Sequence, residues 1–319
     1  MSDHLRALDA TPQASKDFDS FMQIGVSDQS AQPAKTKESK PRVILDNYQV
    51  GDEIGRGSMG IIYAGKDLSS KKPVAIKIFD FGSQRSLHSK ISRQSFQQEL
   101  LAAGSLNHNN IVTLFDAEMI DNKAYIIMEP LPGHDLRYYL ENENTLDLEQ
   151  ILDLSVQCAL ALDYAHRNNI VHMDIKPGNL MYSVEQQTLK VTDFGVAHYM
   201  GTYRQTDKVL GSPSYMSPEQ LSGKSVDGRS DLFSLGVVMF HLLCGRLPFI
   251  SNDMRDMMGK IVNKSHPDVT LLRTDLPTAV RSIMDKVLAK TPDDRYQRGH
   301  DMAVDMKMCL NRLLKQDKG

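Results

Sequence analysis

The chain has the hydrophobic pattern of β-strands between residues 48 and 128. Apolar side chains come there in short runs that glycine interrupts and that contain β-branched and aromatic residues. Such runs are typical of antiparallel strands. The segment 93–106 is predicted to be a helix between them. The predicted strands are residues 48–50, 60–64, 74–78, 111–115 and 125–128.

The pattern becomes helical after Pro132-Gly133. Apolar residues recur at helical spacing between residues 151 and 165, which predicts a helix. Residues 230–244 are apolar on nearly every side, so a helix here is expected to be deeply buried. Two further helices are predicted at 279–290 and 300–314.

Residues 1–44 differ in composition from the rest of the chain. They are rich in Ser, Asp, Gln and Lys, and such a segment cannot offset its ordering entropy by burial, so it is predicted to be a disordered tail. Its apolar cluster at 18–24 is a candidate docking segment for a partner, and an idle tail is the alternative. The chain is therefore expected to be an α+β protein with a small β-rich lobe at 45–130 and a larger, mainly helical lobe at 131–319.

Charge and composition exclude several classes of protein. The formal net charge is −3 over 319 residues, which argues against a nucleic-acid binder driven by bulk charge. Cys158, Cys244 and Cys309 form no CxxC motif and are expected to be small hydrophobes in a reducing compartment. No apolar stretch reaches the ~20 residues that a membrane-spanning helix needs, and the N-terminal residues contain no apolar signal core. We therefore expect a cytoplasmic protein with no membrane span and no nucleic-acid partner.

One segment carries a dense set of chemical groups. It reads His172-Met173-Asp174-Ile175-Lys176-Pro177-Gly178-Asn179, and Asp193-Phe194-Gly195 follows it. An acid, a lysine and an amide lie within six residues, with a second acid downstream. This spacing suits a base for a hydroxyl, a cation for a phosphate and two ligands for magnesium, which indicates phosphoryl transfer.

Two further features lie in the predicted strands. Gly55-Arg56-Gly57-Ser58-Met59-Gly60 is weak evidence alone, but a β-branched run follows it. It is therefore predicted to be a turn between strands whose backbone N–H groups close over phosphates, rather than the start of a dinucleotide-binding helix. Lys77 ends an apolar run and needs a partner when buried. Glu99 in the next helix is the candidate.

The order and spacing of these motifs resemble the eukaryotic-like (Hanks-type) serine/threonine protein kinases over residues 48–314. Ser217-Pro218-Glu219-Gln220 and Leu247-Pro248-Phe249 are similar to bacterial members. The resemblance implies a bilobal protein-kinase fold with one main helix in the small lobe. It also implies ATP and Mg²⁺ as cofactors, with Mn²⁺ as an alternative ion. The implied reaction is transfer of the γ-phosphoryl group to Ser/Thr hydroxyls of protein substrates, with autophosphorylation.

The resemblance assigns roles to the matching residues. Asp174 would accept the proton of the substrate hydroxyl, and Lys176 would neutralise the transferring phosphoryl group. Lys77, oriented by Glu99, would hold the α- and β-phosphates. The implied metal ligands are Asn179 and Asp193. The residues implied to surround the nucleotide are Ile54, Gly55, Gly57, Gly60, Ile62, Ala75, Lys77, Met128 as gatekeeper, Glu129 and Leu131 at the adenine edge, Asp135 at the ribose, and Met181.

The larger lobe carries further matches. Residues 211–219 resemble the segment that docks the peptide beside the acceptor. The resemblance implies that Glu219 pairs with Arg295 and that Asp231 braces the loop of Asp174. Lys176 and Ser212 fit the serine/threonine pattern, as opposed to the tyrosine kinases.

Met173 departs from the family, in which most regulated members have an arginine that binds a phosphate on the activation segment. One hypothesis is that full activity does not require phosphorylation of this segment, which contains Thr202 and Thr206. The alternative is that a neighbouring basic residue replaces the arginine.

Ala103, four residues after Glu99, is a second departure. The family usually has a large apolar side chain there, stacked on Leu114, Phe194 and His172. An unfilled gap would destabilise the active arrangement. We hypothesise that a partner, such as the N-terminal tail, completes this stack; a local side-chain shift is the alternative.

Two other functions fit part of the pattern. A pseudokinase would bind nucleotide or act as a scaffold, although the catalytic set is complete. A small-molecule kinase would share the HxDxxxxN motif, although residues 217–219 favour a protein substrate.

Overall fold

The computed structural model describes residues 42–45, 47–57, 60–80, 100, 103–120, 123–141, 145–194 and 213–316. Glu99, Thr202, Thr206 and Ser212 lie outside these residues, and so do residues 1–41.

The small lobe is built on one antiparallel sheet of six strands, in the order β1-β2-β3-β4-β6-β5. The register places Ile62 opposite Lys77, and Ala75 opposite both Ala64 and Met128. Residues predicted for the nucleotide site therefore lie on neighbouring strands. The strands are β1 Arg42–Leu45, β2 Tyr48–Gly57, β3 Gly60–Asp67, β4 Pro73–Asp80, β5 Leu114–Ile120 and β6 Lys123–Met128.

The sequence predictions differ from the structure at several boundaries in this lobe, and the strand predicted at 48–50 extends to Gly57. Arg42–Leu45 pairs with β2, so regular structure begins before the predicted end of the tail at residue 44. The strand predicted at 111–115 begins only at Leu114. Ile111 does not belong to it, because Ile111 instead makes a single bridge to Val191 in the other lobe. The helix predicted at 93–106 includes Leu100, Ala103 and Gly104 among the described residues and has ended before Leu106.

The larger lobe is mainly helical, as predicted. Its centre is α4 (Gly228–Cys244), most of whose side chains are buried. The other helices pack around α4 and α2 in one hydrophobic core. Cys158 and Cys309 are buried in this core, as expected, whereas Cys244 is partly exposed. The helices of this lobe are α1 Leu136–Glu141, α2 Leu148–Arg167, α3 Pro218–Leu221, α4 Gly228–Cys244, α5 Met254–Asn263, α6 Val269–Leu272, α7 Thr278–Val287 and α8 Gly299–Gln316.

Local sequence signals explain where the two central helices begin and end. Asp147 and Gln150 form a capping box at the start of α2, in which each side chain bonds the backbone N–H of the other residue. Asp227 caps α4, and Gly245 ends it with a φ of 65°, which glycine adopts readily. Among the described residues, no helix has the length and apolar character to cross a membrane.

A three-stranded sheet, β7 (His134–Asp135), β8 (Leu180–Ser183) and β9 (Thr188–Val191), lies in the larger lobe. A short 3₁₀ turn, Pro177–Asn179, leads directly into β8. The motif around Asp174 is therefore connected to β8, and Asp193 follows the end of β9. This sheet brings both acids of the sequence motif towards one place.

Candidate active site

Asp231 anchors the loop that carries Asp174. Its carboxylate is almost fully buried at the start of α4. Oδ2 accepts the backbone N–H of His172 at 2.8 Å, and Oδ1 accepts that of Met173 at 2.8 Å. His166 Nε2 lies 2.8 Å from Oδ2. The bracing role that the resemblance implied for Asp231 has this geometry, whereas no sequence motif indicated His166.

The ring of His172 connects the two sequence motifs. Nε2 lies 2.7 Å from the carbonyl oxygen of Thr192, and Nδ1 lies 3.2 Å from the backbone N–H of Asp174. Because a carbonyl only accepts and a backbone N–H only donates, the proton resides on Nε2. The ring also meets Phe194 edge to face, with centroids 4.7 Å apart. This packing holds Asp174 and Asp193 in a fixed relation.

Met173 has a left-handed backbone, with φ at 66°. Its N–H is held by Asp231, and its carbonyl accepts Nε2 of Gln220 at 2.9 Å. Gln220 is itself fixed by a capping box with Ser217. Both backbone bonds are independent of the side chain at position 173, so the loop keeps this conformation without an arginine there.

Asp174, Lys176 and Asn179 form one polar cluster. Oδ2 of Asp174 accepts Lys176 Nζ at 2.6 Å and Asn179 Nδ2 at 3.0 Å. Asn179 Nδ2 also donates to the backbone carbonyl of Asp174, at 2.8 Å. No residue in the described part of the chain donates to Oδ1 of Asp174. The cluster therefore leaves one carboxylate oxygen in position to accept a proton, with a cation beside it.

Lys77 crosses from the small lobe to Asp193. Its Nζ lies 2.6 Å from both carboxylate oxygens, and both side chains are largely buried. Burial alone would raise the pKa of Asp193, but the ammonium group of Lys77 outweighs burial and holds this pKa below its usual range. The predicted partner of Lys77, Glu99, lies outside the described residues, so that pairing stays a prediction.

The glycine turn between β2 and β3 has one position with a strict steric demand. Gly60 has a φ of 156°, and a Cβ there would lie 2.4 Å from the carbonyl oxygen of Ile78. A Cβ at Gly55 would meet only Ile62, at 3.8 Å. Of these two glycines, only Gly60 is therefore required by the packing of the protein itself, which is consistent with a separate purpose for Gly55.

An apolar patch lines the cleft beside these groups. Ala75, Val112 and Met128 are buried together, and three partly buried residues, Ile62, Leu114 and Leu131, pack on them. Met181 pairs with Asp135 between β7 and β8. Most of the side chains predicted for the adenine site thus share one cluster or lie on its neighbouring strands.

Glu129 fastens the connection between the lobes. Its Oε1 accepts the backbone N–H of Thr113 at 2.7 Å and Nζ of Lys190 at 2.6 Å. Its own backbone N–H donates to the carbonyl of Thr113 at 3.0 Å. The side chain is therefore engaged within the protein through Oε1. Sequence reasoning missed Lys190, because 61 residues separate it from Glu129.

The donor set fits a divalent ion that binds together with phosphate groups. The described residues contain no cluster of three or more His, Cys, Asp or Glu side chains that could hold a metal alone. Magnesium is usually held by one or two carboxylates plus substrate phosphates and water. Asp193 offers a carboxylate and Asn179 an amide oxygen, since Nδ2 of Asn179 is already engaged with Asp174.

The segment beyond the catalytic loop is fixed by a buried ion pair. Arg295 donates from Nη1 to Oε1 of Glu219 at 2.7 Å and from Nη2 to Oε2 at 2.8 Å. Ser230 donates a further short hydrogen bond to Oε1. Burial would raise the pKa of Glu219, but the bonds from Arg295 and Ser230 outweigh burial and lower this pKa. The pairing of Glu219 with Arg295 has the geometry that the resemblance implied.

The amino-acid sequence of this chain is similar to known proteins of one family. The family model for the protein kinase domain matches residues 48–308. A probable serine/threonine-protein kinase, SCO3848 of Streptomyces coelicolor, is 36% identical over 282 residues, which are 85% of this chain and 41% of the relative. The serine/threonine-protein kinase PrkC of Bacillus subtilis is 36% identical over 272 residues, 84% of this chain and 41% of PrkC.

The serine/threonine-protein kinase PknB of Mycobacterium tuberculosis is 31% identical over 281 residues. These residues are 85% of this chain and 44% of PknB. The chain thus spans about two fifths of the length of the curated relatives it matches.

Proposed function

The chain belongs to the protein kinase domain family, and from that premise we propose that it transfers the γ-phosphoryl group of ATP to Ser or Thr hydroxyls of proteins. The bilobal α+β fold is that of the family, and the family in general uses ATP and a divalent metal ion. We propose Mg²⁺ as the ion, with Mn²⁺ as a substitute. Residues 42–130 and 131–319 are the proposed N- and C-lobes, because β1 extends the small lobe beyond the predicted bound at residue 45.

The observation that carries this proposal is the arrangement of Asp174, Lys176 and Asn179 beside the Lys77–Asp193 pair. The base has one engaged oxygen and one that faces no described donor. A lysine and an amide hold the engaged oxygen at 2.6 and 3.0 Å. Catalysis of phosphoryl transfer consists mainly of positioning and charge neutralisation, and this cluster supplies both.

In the proposed reaction, each residue acts through atoms whose environment is described above. Asp174 orients the acceptor hydroxyl and takes its proton at Oδ1. Lys176 neutralises charge on the phosphoryl group in transfer. Lys77 is available to the α- and β-phosphates once its contact with Asp193 is exchanged for one with Glu99, which frees Asp193 to join Asn179 as a metal ligand. The bound ion supplies charge neutralisation of the phosphates.

Two features favour a protein substrate over the alternatives. The Glu219–Arg295 pair and the Ser217 capping box give residues 213–221 a rigid docking segment, which a small-molecule kinase does not need. A pseudokinase would not need the Asp174 cluster, yet all its members are in hydrogen-bonding contact.

Incorporation of radiolabelled phosphate tests the proposal. The protein with Mg²⁺ and γ-labelled ATP is offered a Ser/Thr peptide mixture, a tyrosine peptide mixture and a set of sugar and aminoglycoside acceptors. Label in the Ser/Thr peptides, lost in Asp174→Asn and kept in the exposed control Glu185→Gln, is the expected result. Label only in the small molecules, or equal label in Asp174→Asn, would reject it.

A further inference from the structure

Gln220 is a buried side chain that joins two segments of the site. Its exposed fraction is 7%. Oε1 accepts the backbone N–H of Ser217 at 2.9 Å, and Nε2 donates to the carbonyl oxygen of Met173 at 2.9 Å. Because a backbone N–H only donates and a carbonyl only accepts, these partners fix the orientation of the amide and use both of its ends. Gln220 therefore connects the docking segment, residues 213–221, to the catalytic loop.

The bond to Met173 holds the peptide unit from which Asp174 projects. The carbonyl of Met173 and the N–H of Asp174 belong to one planar group. Gln220 binds the carbonyl, and Nδ1 of His172 lies 3.2 Å from the N–H on the opposite edge of the plane. Since the orientation of this plane determines the direction of the Cα–Cβ bond of Asp174, the two contacts direct the carboxylate of the proposed base.

The backbone of Met173 gives this peptide unit a reason to rotate. Its φ of 66° lies in the left-handed region, which is unfavourable for a residue other than glycine. Asp231 binds the N–H of Met173, which lies on the other side of its Cα, and so does not oppose rotation of the unit that follows. The hydrogen bond from Gln220 acts on the rotating unit itself. Its loss would therefore allow Asp174 to leave the position it has in the cluster with Lys176.

The same glutamine is built into the docking segment. It is the third residue of α3, and its backbone N–H donates to Oγ of Ser217, which completes the capping box. The neighbouring Glu219 is fixed by the buried pair with Arg295. Gln220 thus has a firm support on one side and the carbonyl of Met173 on the other. A displacement of the docking segment would reach the proposed base through this bond.

We propose that Gln220 is a positioning residue for phosphoryl transfer: its amide holds the Met173–Asp174 peptide unit and so couples the docking segment to the orientation of the base. This inference rests on the proposed kinase function. It assigns the two ends of the side chain to different tasks, because the capping box needs only Oε1, whereas the catalytic loop needs Nε2.

Gln220→Glu separates these two tasks. The substitution keeps an acceptor for Ser217 but turns a carboxylate oxygen, in place of the donor, towards the carbonyl of Met173. We expect kcat for a Ser/Thr peptide to fall about tenfold at pH 8, with the KM for ATP unchanged, as the loss of one buried hydrogen bond allows. Burial raises the pKa of the new carboxyl group, and its protonated form can donate again. The kcat relative to the wild type should therefore recover at about pH 6.

Gln150→Glu is the matched control. Gln150 has the same place in the capping box of α2, where its Oε1 accepts the backbone N–H of Asp147 at 3.0 Å. Within the described part of the chain, its Nε2 donates no hydrogen bond to the catalytic loop. Because glutamate serves equally well at this place in a capping box, Gln150→Glu should have the kcat and the pH profile of the wild type.

Gln220→Met, which has neither polar group, tests the same bond without a new charge. It should lose kcat at both pH values and should show no recovery in acid, even where Gln220→Glu does not fold. A wild-type kcat in folded Gln220→Met would overturn the inference. A loss in Gln220→Glu that does not depend on pH, or an equal loss in Gln150→Glu, would overturn it as well. A wild type that phosphorylates no peptide or protein would instead reject the kinase function.

Discussion

Individual residues of the site have backbone conformations that only their partners can maintain. Met173 and Asp193 have φ values of 66° and 64°, a region that costs a non-glycine residue on the order of 1 kcal/mol or more. Asp231 and Gln220 hold the first of them through the backbone, and Lys77 holds the second through its side chain. The strain lies next to the proposed base and at a proposed metal ligand, where it fixes geometry.

Gly55 in β2 and Gly60 at the start of β3 give a matched pair of substitutions. Gly60→Ala would place a Cβ 2.4 Å from a carbonyl oxygen, whereas Gly55→Ala meets only ordinary contacts. We expect Gly60→Ala to lower the free energy of unfolding by about 1–3 kcal/mol in urea titrations without nucleotide. Gly55→Ala should change it by less than about 0.5 kcal/mol. Equal effects of the two variants would show that the turn relaxes freely.

At the scale of single residues, the sequence predicted the residues of the catalytic motif but not the contacts between distant segments. Asp174, Lys176 and Asn179 lie within six residues, so their proximity follows from chain connectivity alone. Gln220 on Met173 and Lys190 on Glu129 depend on how long side chains cross between distant segments. Tertiary packing decides such contacts, and no local pattern records them.

Helices of the larger lobe connect the hydrophobic core to the candidate active site. Helix α4 is buried on nearly every side and carries Asp231 at its start, so the catalytic loop is fixed to the buried core of the larger lobe. Its neighbour α3 carries Gln220 and Glu219, which connect the loop to Arg295. The docking segment and the proposed base therefore share one support.

Breaking the buried ion pair should destabilise the protein strongly. Removal of one partner leaves an unpaired buried charge, so Arg295→Met should lower the free energy of unfolding by about 3–5 kcal/mol. The double variant Glu219→Gln with Arg295→Met should recover much of this loss. The exposed pair Arg56–Glu53 is the control, and Glu53→Gln should cost at most about 1 kcal/mol. A single-variant cost as small as that of the control would contradict a buried, coupled pair.

The same pair gives a pH dependence. Because the pKa of Glu219 is lowered in the folded protein, its stabilisation is present above the unfolded pKa and is lost as the pH falls through the folded value. The urea concentration at the midpoint of unfolding should therefore fall less steeply, as the pH is lowered from 7, for the Glu219→Gln, Arg295→Met variant than for the wild type. Parallel curves would show that Glu219 titrates normally.

The helix that contains Ala103 borders a cavity that side chains of both lobes line. Ala103, Leu114 and Phe194 line it together with Lys77 and Asp193, so the gap expected from the sequence lies beside the catalytic pair. We expect Ala103→Leu to fill this space and to raise basal kcat/KM. Ala161→Leu makes the same change in the fully buried face of α2, where overpacking should only destabilise. An unchanged or lower rate for a stable Ala103→Leu protein would reject a role for the gap.

At the scale of helices and strands, the sequence predicted the type of each element better than the residues at which it begins and ends. Helix α4 was identifiable because its side chains are apolar all round, and the strands around Lys77 because of their β-branched runs. The start of β5 was placed too early, because Ile111 is buried between the lobes and looks like a strand residue. β1 was missed because Arg42–Leu45 pairs only at the edge of the sheet.

For the whole molecule, we expect catalysis and regulation to be separate at Met173. The loop is held through the backbone of this residue, so its conformation does not depend on a phosphate-binding arginine. We therefore expect Thr202→Ala with Thr206→Ala to retain kcat/KM within about tenfold of the wild type. A larger loss in a folded double variant would mean that activation-segment phosphorylation is required and that another basic group binds the phosphate.

Mass spectrometry of the protein after incubation with Mg-ATP shows directly whether this chain itself transfers phosphoryl groups to Ser and Thr. The Asp174→Asn protein serves both as inactive control and, isotopically labelled, as a substrate for the wild type. We expect phosphate on Ser or Thr of the wild type. We expect it on the labelled Asp174→Asn protein only when the wild type is present. No phosphate on either protein, or equal phosphate on Asp174→Asn alone, would contradict it.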